Sequence, residues 1–401
     1  MFSSLKFKVI LFGFIFTFFS SFGQSYFLGL FNSSIREALS ITHGQFGSIY
    51  ASATLCSSLL LIWVGKKIDD VNIFKFAFFV TILLSFACFF FSKVSSVLLF
   101  FIAIFLIRFS GQGMMSHTAS TTISRYFTKT RGRALSISWF GLSSAEFIMP
   151  VLMVYLLTII KWQNLWLIFS ITVLVVLPIV SFLLIKNLNL DSREIHDGNI
   201  KEVQIKQWKR VDVIKDYRFY IISLNMLAMP WIFTGFAVFQ SFIQTSKGWG
   251  PYVIAQSFMS YSILSVLTLF LSGFLIDKFT SRKLLIYMNI PLLLSVIILF
   301  FFDTPITAFV FLGLVGISNG FANILGSSTW AELYGVKYLG SIKALTTALM
   351  VFATAFGTAL FGFLIDIDFS VEDIAVVSGV YILISLILLF LTRKKLNPVL
   401  I

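Results

Sequence analysis

Runs of twenty or more residues with almost no charge recur twelve times along this chain. Only two structures satisfy every backbone polar group in lipid, a helix and a closed barrel. A barrel needs short alternating strands, whereas these runs are unbroken and as long as a bilayer is thick. The expected fold class is therefore an all-α membrane protein with twelve transmembrane helices. With 58% hydrophobic and 12% charged residues, the composition excludes a soluble globular chain. The run that begins near Val9, after Lys6 and Lys8, carries Gln24 and lacks a small-x-small cleavage site; it reads as a retained first helix.

The spans fall at about 9–31, 44–64, 72–92, 96–124, 132–159, 163–185, 219–246, 251–276, 283–302, 305–333, 341–365 and 374–392. The longest hydrophilic segment divides them six and six. The expected organisation is an N-terminal bundle over 1–186, a cytoplasmic linker over 187–217 and a C-terminal bundle over 218–401. Within the linker, residues 205–215 space apolar side chains three apart, the pattern of a helix lying on the cytoplasmic surface.

A net charge of +13 is not a nucleic-acid footprint here. Of 30 Lys and Arg, 25 fall on one side of the twelve spans, four on the other (Arg36, Lys93, Lys161, Lys247), and Arg108 within the membrane. That is the positive-inside rule, with both termini cytoplasmic in the cell (inner) membrane. Cys56 and Cys88 lie inside spans and imply no disulfide framework. There is no P-loop, no Gly-x-Ser-x-Gly, no His-Glu-x-x-His and no metal-ligand spacing. Neither an enzyme nor a cofactor is expected, and any transport runs on gradients. A channel would repeat pore residues in a ring, whereas this chain carries one asymmetric pair of deep charges.

That pair is Arg108 and Glu146. Thirteen residues separate Arg108 from Ser95, about 20 Å at the helical rise, well inside a core roughly 30 Å thick. Glu146 lies thirteen residues beyond Arg133 on the next, antiparallel helix, at similar depth. A mid-membrane charge costs about 2.5–3.5 kcal/mol on insertion scales and normally faces a partner or a cavity. The two charges are expected to form one polar centre, whether a substrate site or a structural ion pair.

Helical spacing adds candidates. Gln112 and Met115 share the face of Arg108, while His117, nine residues on, points away. Trp139, Leu142, Ser143, Glu146, Met149 and Met153 form one stripe on the fifth helix. Asn319, Asn323 and Ser327 recur every four residues on the tenth, with Trp330 near their face. Gln24 with Ser20 and Ser21 in the first span, and Asn225, Thr234 and Gln240 in the seventh, are further polar residues at depth. Each such residue is as readily an interhelical hydrogen bond as a ligand contact.

The halves repeat. An offset of 208 residues takes Gly65 to Gly273, Asp69 to Asp277, Tyr126 to Tyr334, Lys129 to Lys337 and Gly132 to Gly340. Two parallel six-helix repeats place a substrate site between them near the midplane. Gly65-x-x-x-Asp69 and Gly273-x-x-x-Asp277 with Arg282 resemble the loop signature of the major facilitator superfamily. Arg108-Phe109-Ser110-Gly111-Gln112-Gly113 resembles the fourth-helix signature of its proton-coupled members. The resemblance spans the whole chain and implies the major facilitator fold, with two bundles rocking about a central site and the two loops acting as gates. The first loop departs from the family in carrying Asp70 where an Arg is usual.

Arg131-Gly132-Arg133-Ala134-Leu135 with Gly141 and Pro150, Gln240 before Lys247-Gly248-Trp249, and 330–335 are similar to the monocarboxylate and oxalate/formate branches. Gly111 to Thr118 with Ala145-Glu146 looks most like bacterial members without an agreed substrate. Those branches meet their anion with basic residues on helices eight and eleven, which here have none in the core.

The expected function is secondary transport of a small polar or anionic organic solute by alternating access, linked to protons. Arg108, Gln112, Asn319, Asn323, Gln24, Gln240 and Trp330 would bind substrate, and Glu146 would carry the proton. Gly65, Asp69, Gly273, Asp277 and Arg282 would form the gating loops. The alternatives are a proton-antiporting exporter of hydrophobic or cationic compounds, with Glu146 as the cation site, and a non-transporting receptor on the same fold. The partners expected are solute, protons and the lipid bilayer, with no nucleic acid, for a monomer.

Overall fold

A computed structural model describes residues 4–127, 131–186, 206–335 and 337–398, without the side chains of Ser4, Asp69, Arg131, Asp277, Ser327 and Gly340. Among the described residues, twelve helical spans are long and apolar enough to cross a membrane. They are α1 (Leu5–Gly29), α2 (His43–Ile68), α3 (Ile73–Phe91), α4 (Val97–Tyr126), α5 (Gly132–Ile159) and α6 (Trp162–Ile185), then α7 (Tyr217–Val238), α8 (Val253–Ile276), α9 (Ser281–Phe301), α10 (Pro305–Tyr334), α11 (Ser341–Asp366) and α12 (Val371–Lys395).

Chain contacts divide the molecule into residues 1–196 and 197–401. In the first unit α1 packs along α5, α2 along α4, and α3 along α6. In the second, α7 packs along α11, α8 along α10, and α9 along α12. The internal repeat in the sequence is thus a repeat of pairing.

The ends of several spans are written in their caps. Thr42 accepts from the Gln45 amide at 3.1 Å while Gln45 Oε1 accepts from the Thr42 amide at 3.0 Å, a capping box that starts α2. Ser370 and Asp373 start α12 in the same way. Lipid offers no hydrophobic drive between helices, so small and hydroxylated residues carry the seams. Ser85 Oγ donates to the Ser170 carbonyl at 2.9 Å and Ser170 Oγ returns the bond at 2.8 Å, tying α3 to α6. Thr17 donates to the Ser138 carbonyl at 2.5 Å across the α1–α5 seam. Gly141 sits directly against the Phe14 carbonyl there, leaving no room for a Cβ.

Four spans are irregular where the sequence pattern reads as continuous; in the seventh, read over 219–246, helix stops at Val238 and resumes at Gln240. In α1 the helix ends at Ser20, a 3₁₀ turn covers Ser21–Gly23, and Gln24 is extended before helix resumes at Ser25. In α4, Arg108–Met115 is π-helical. In α9 the helix breaks at Asn289, before Pro291.

The segment expected on the cytoplasmic surface packs one side against the C-terminal unit and leaves Val211 and Ile214 exposed on the other. Its helical part is Arg210–Lys215, and Val213 is fully buried in an apolar cluster of the C-terminal unit with Phe219, Leu285, Tyr334 and Ile342. Trp208 anchors the segment by donating its amide to the Tyr334 carbonyl at 3.0 Å. Residues 187–205 of the linker lie outside the described residues.

Candidate functional site

Arg108 stands at the start of the π-helical stretch and is 2% exposed. A π turn bonds i to i+5, so it takes one residue more per turn than an α turn. The Arg108 guanidinium meets the break in α1. A break frees carbonyls that a continuous helix would bond, and in lipid each must find a donor. Arg108 Nη1 donates to the Gly23 carbonyl at 2.8 Å and to Ser25 Oγ at 3.4 Å. Its Nε donates to Thr54 Oγ1 of α2 at 3.2 Å. The guanidinium carbon lies 5.2 Å from the centre of the Tyr50 ring, and Tyr50 donates its hydroxyl to Ser25 at 2.9 Å. Nη2 donates to no described residue.

Such proximity requires glycine. A Cβ on Gly23 would collide with the Gln112 amide nitrogen, and one on Gly111 would come 2.7 Å from the Gly23 nitrogen. The α1 break and the π stretch are therefore two halves of one backbone contact. Gln24 and Gln112 flank it, both half-buried, and neither side-chain amide bonds a described residue.

Glu146 is buried on α5, 8% exposed, in the same unit. The expected Arg108–Glu146 ion pair is not formed: no described cation lies within 4 Å of Glu146. The physical reason is that Arg108 is turned to the α1 break, where uncharged oxygens and an aromatic face occupy it. Tyr26 lies within electrostatic reach of Glu146, and beside Ser21. One unit thus holds a buried cation and a buried carboxylate that do not neutralise each other in contact.

The residues that the sequence pattern missed are those that hold Arg108: Gly23, Ser25, Tyr50 and Thr54. Tyr50 and Thr54 sit one turn apart on α2, a polar pair in an apolar run that helical spacing reveals. The role of the Gly23 carbonyl has no side-chain signal. His117 turns to the first Gly-x-x-x-Asp loop, its Nε2 3.0 Å from the Gly65 carbonyl. A carbonyl only accepts, so Nε2 carries the proton. Arg125 Nη1 donates to the Ile68 carbonyl at 3.1 Å. Two side chains of α4 therefore hold the backbone of that loop.

The candidates of the C-terminal unit do not gather in one place. Asn319 donates to Ser265 Oγ at 2.9 Å, a bond across the α8–α10 seam, whereas Asn323 is exposed. Gln240 follows the end of α7, 5% exposed, and donates to the Ala237 carbonyl at 2.8 Å. Trp330, expected on a solute-facing surface, is 1% exposed and packs in the core beside Phe219 and Tyr334, with ring centres 5.4 and 6.0 Å away. A core indole gains more from that apolar packing than a lining position offers. Arg282 of the second loop pairs with Glu332 of α10 at 3.3 Å, and Glu332 also accepts from the Ser281 amide at 2.8 Å. Gly273 has open space around it. The Asp69 and Asp277 side chains lie outside the described residues.

A family model described as Major Facilitator Superfamily matches residues 13–260 and 220–400. No curated protein matches the chain in sequence. Among solved structures, a bacterial homolog of the human lysosomal transporter Spinster, in an inward-facing and unoccupied conformation, is similar. Its TM-score is 0.78 at 13% identity, covering 99% of this chain and 98% of that one. The nucleoside transporter NupG is similar with a TM-score of 0.72 at 13% identity, covering 98% and 99%. Likeness at that identity is likeness of fold.

Proposed function

The chain belongs to the Major Facilitator Superfamily, and on that premise we propose that it moves a small polar or anionic organic solute, coupled to protons. It is a multi-pass membrane transporter working by alternating access, not an enzyme. The observation that carries the finer reading is the Arg108 guanidinium, buried with uncharged partners alone. A desolvated charge without a counter-charge is costly, and an anionic solute relieves that cost. Gln24 and Gln112, with their side-chain amides uncommitted, supply neutral hydrogen bonds beside it. A small carboxylate suits this arrangement, in keeping with the resemblance of 131–135 and 330–335 to the carboxylate branches.

Glu146 is the proton site in this reading. A proton on Glu146 removes a negative charge from the unit and raises the positive potential at Arg108, which strengthens anion binding. Loss of the proton reverses the effect. Proton and anion then bind with positive cooperativity through the field, as symport requires. Asp69 and Asp277 act on the conformational equilibrium, with Gly65, Gly273 and Arg282 shaping the loops that carry them. The termini are cytoplasmic, the membrane is the inner membrane, and the unit of function is a monomer.

The isolation of Glu146 favours a second reading, in which it meets a cationic compound that is exported in exchange for protons. Uptake of labelled anionic, neutral and cationic metabolites into proteoliposomes, with and without an imposed pH gradient, separates the two. Accumulation of an anion driven by an acidic exterior supports symport, whereas proton-driven export of cations alone replaces it.

A further inference from the structure

At the end of the C-terminal unit where α8, α9 and α12 approach one another, a groove of about 820 Å³ opens on the surface. Its walls are apolar: Leu275 at the end of α8 and Phe279 just beyond it, Tyr287 and Ile290 on α9, Phe390 on α12. Phe279, Tyr287, Ile290 and Phe390 are all exposed, so the trough is unfilled by the protein's own side chains.

Its polar end is basic. Arg282 is committed to protein, with Nε on Glu332 and Nη1 on the Leu396 carbonyl and Asn397 Oδ1, both at 2.9 Å. Lys283, Arg393 and Lys394 are exposed, and none has an acidic partner within 4 Å among the described residues. Arg393 lies 3.9 Å over the Phe390 ring, which fixes one cation at the junction of basic end and apolar wall. Three unneutralised cations above an open apolar trough match a ligand with an anionic head and a hydrocarbon tail. A second copy of the chain would bring like charges face to face across a two-fold contact. A free phosphate would leave the apolar walls unused.

We propose that this groove is a binding site for one anionic phospholipid from the surrounding leaflet. Its phosphate sits among Lys283, Arg393 and Lys394, and an acyl chain lies along Phe279, Tyr287 and Ile290. The lipid would staple α9 to α12 beside the Arg282–Glu332 pair. The leaflet is the cytoplasmic one on the orientation given under the proposed function; the binding itself depends neither on that orientation nor on the solute.

The test uses the full-length chain, delipidated in mild detergent and titrated with phosphatidylglycerol. Native mass spectrometry counts retained lipid, and thermal unfolding follows its effect. Each basic residue near a bilayer surface adds about a fivefold factor in anionic-lipid binding. The triple variant Lys283→Gln, Arg393→Gln, Lys394→Gln is expected to weaken retention on the order of a hundredfold. Ile290→Glu, which sets a negative charge on the exposed wall and leaves the cations in place, is expected to weaken it as well. The lipid-free melting temperature of each variant shows that it is folded. Equal retention by wild type and both variants, equal retention of phosphatidylcholine, or the same stabilisation by inorganic phosphate alone overturns the proposal.

Discussion

Arg108 Nη1 reaches the Gly23 carbonyl oxygen at 2.8 Å, so a cation deep in the fourth span closes the break in the first. That bond ties the local conformation of α1 to the guanidinium on which the proposed anion binds. A solute that draws Arg108 toward itself weakens the hold on the break, and a conformational change in α1 has a direct route to the binding group.

Arg108→Lys keeps the charge and loses the planar fork that serves Gly23, Ser25 and Thr54 together. A hydrogen bond from a charged group is worth about 1.5–3 kcal/mol. The variant is expected to lose about that much stability and to bind an anionic solute at least tenfold more weakly. Thermal unfolding and equilibrium binding on the same sample measure both. Full affinity in the lysine variant would remove Arg108 from the solute site.

Lys247 predicts an asymmetry. Its side chain is 1% exposed and its Nζ meets Asp303 at 2.6 Å and Glu372 at 2.5 Å, while the Asp303 side chain is 73% exposed. Lys247→Met strands two carboxylates that water already reaches, and the methionine fills the buried stem. The double variant Asp303→Asn, Glu372→Gln strands a buried ammonium, which typically costs about 3–5 kcal/mol. The double variant is therefore expected to melt well below Lys247→Met. The opposite order would show that Lys247 matters for packing, not for its charge.

The gating loops act on rate in this scheme. Asp69→Asn is expected to slow turnover roughly twofold to thirtyfold, the factor that about 0.3–2 kcal/mol at a helix end corresponds to. Solute affinity should stay near the wild-type value. Unaltered exchange with weakened binding would move Asp69 into the binding site.

The fold was legible because lipid leaves so few options: apolar runs of fixed length, basic loops on one side, and a 208-residue repeat suffice. That Arg108 and Glu146 fall within membrane-spanning helices was legible for the same reason. Their partnership was not. Counting 100° per residue assumes an α-helix through Arg108–Met115, and the π stretch breaks that assumption, as the Ser21–Gly23 turn breaks α1. The carbonyl that Arg108 finds belongs to a glycine 85 residues away, and no side-chain pattern encodes it. Trp330 reads the same on a lining face as in a core, since a helical stripe fixes a direction and not what lies there.

Glu146→Gln keeps size and hydrogen bonding, removes the titratable group, and leaves Arg108 with its own partners untouched. Substrate-for-substrate exchange and pH-gradient-driven accumulation, both measured on one proteoliposome preparation, read proton coupling most directly. Exchange near the wild-type rate with loss of gradient-driven accumulation is the expected result. Accumulation that still follows the pH gradient in Glu146→Gln contradicts proton coupling through this carboxylate.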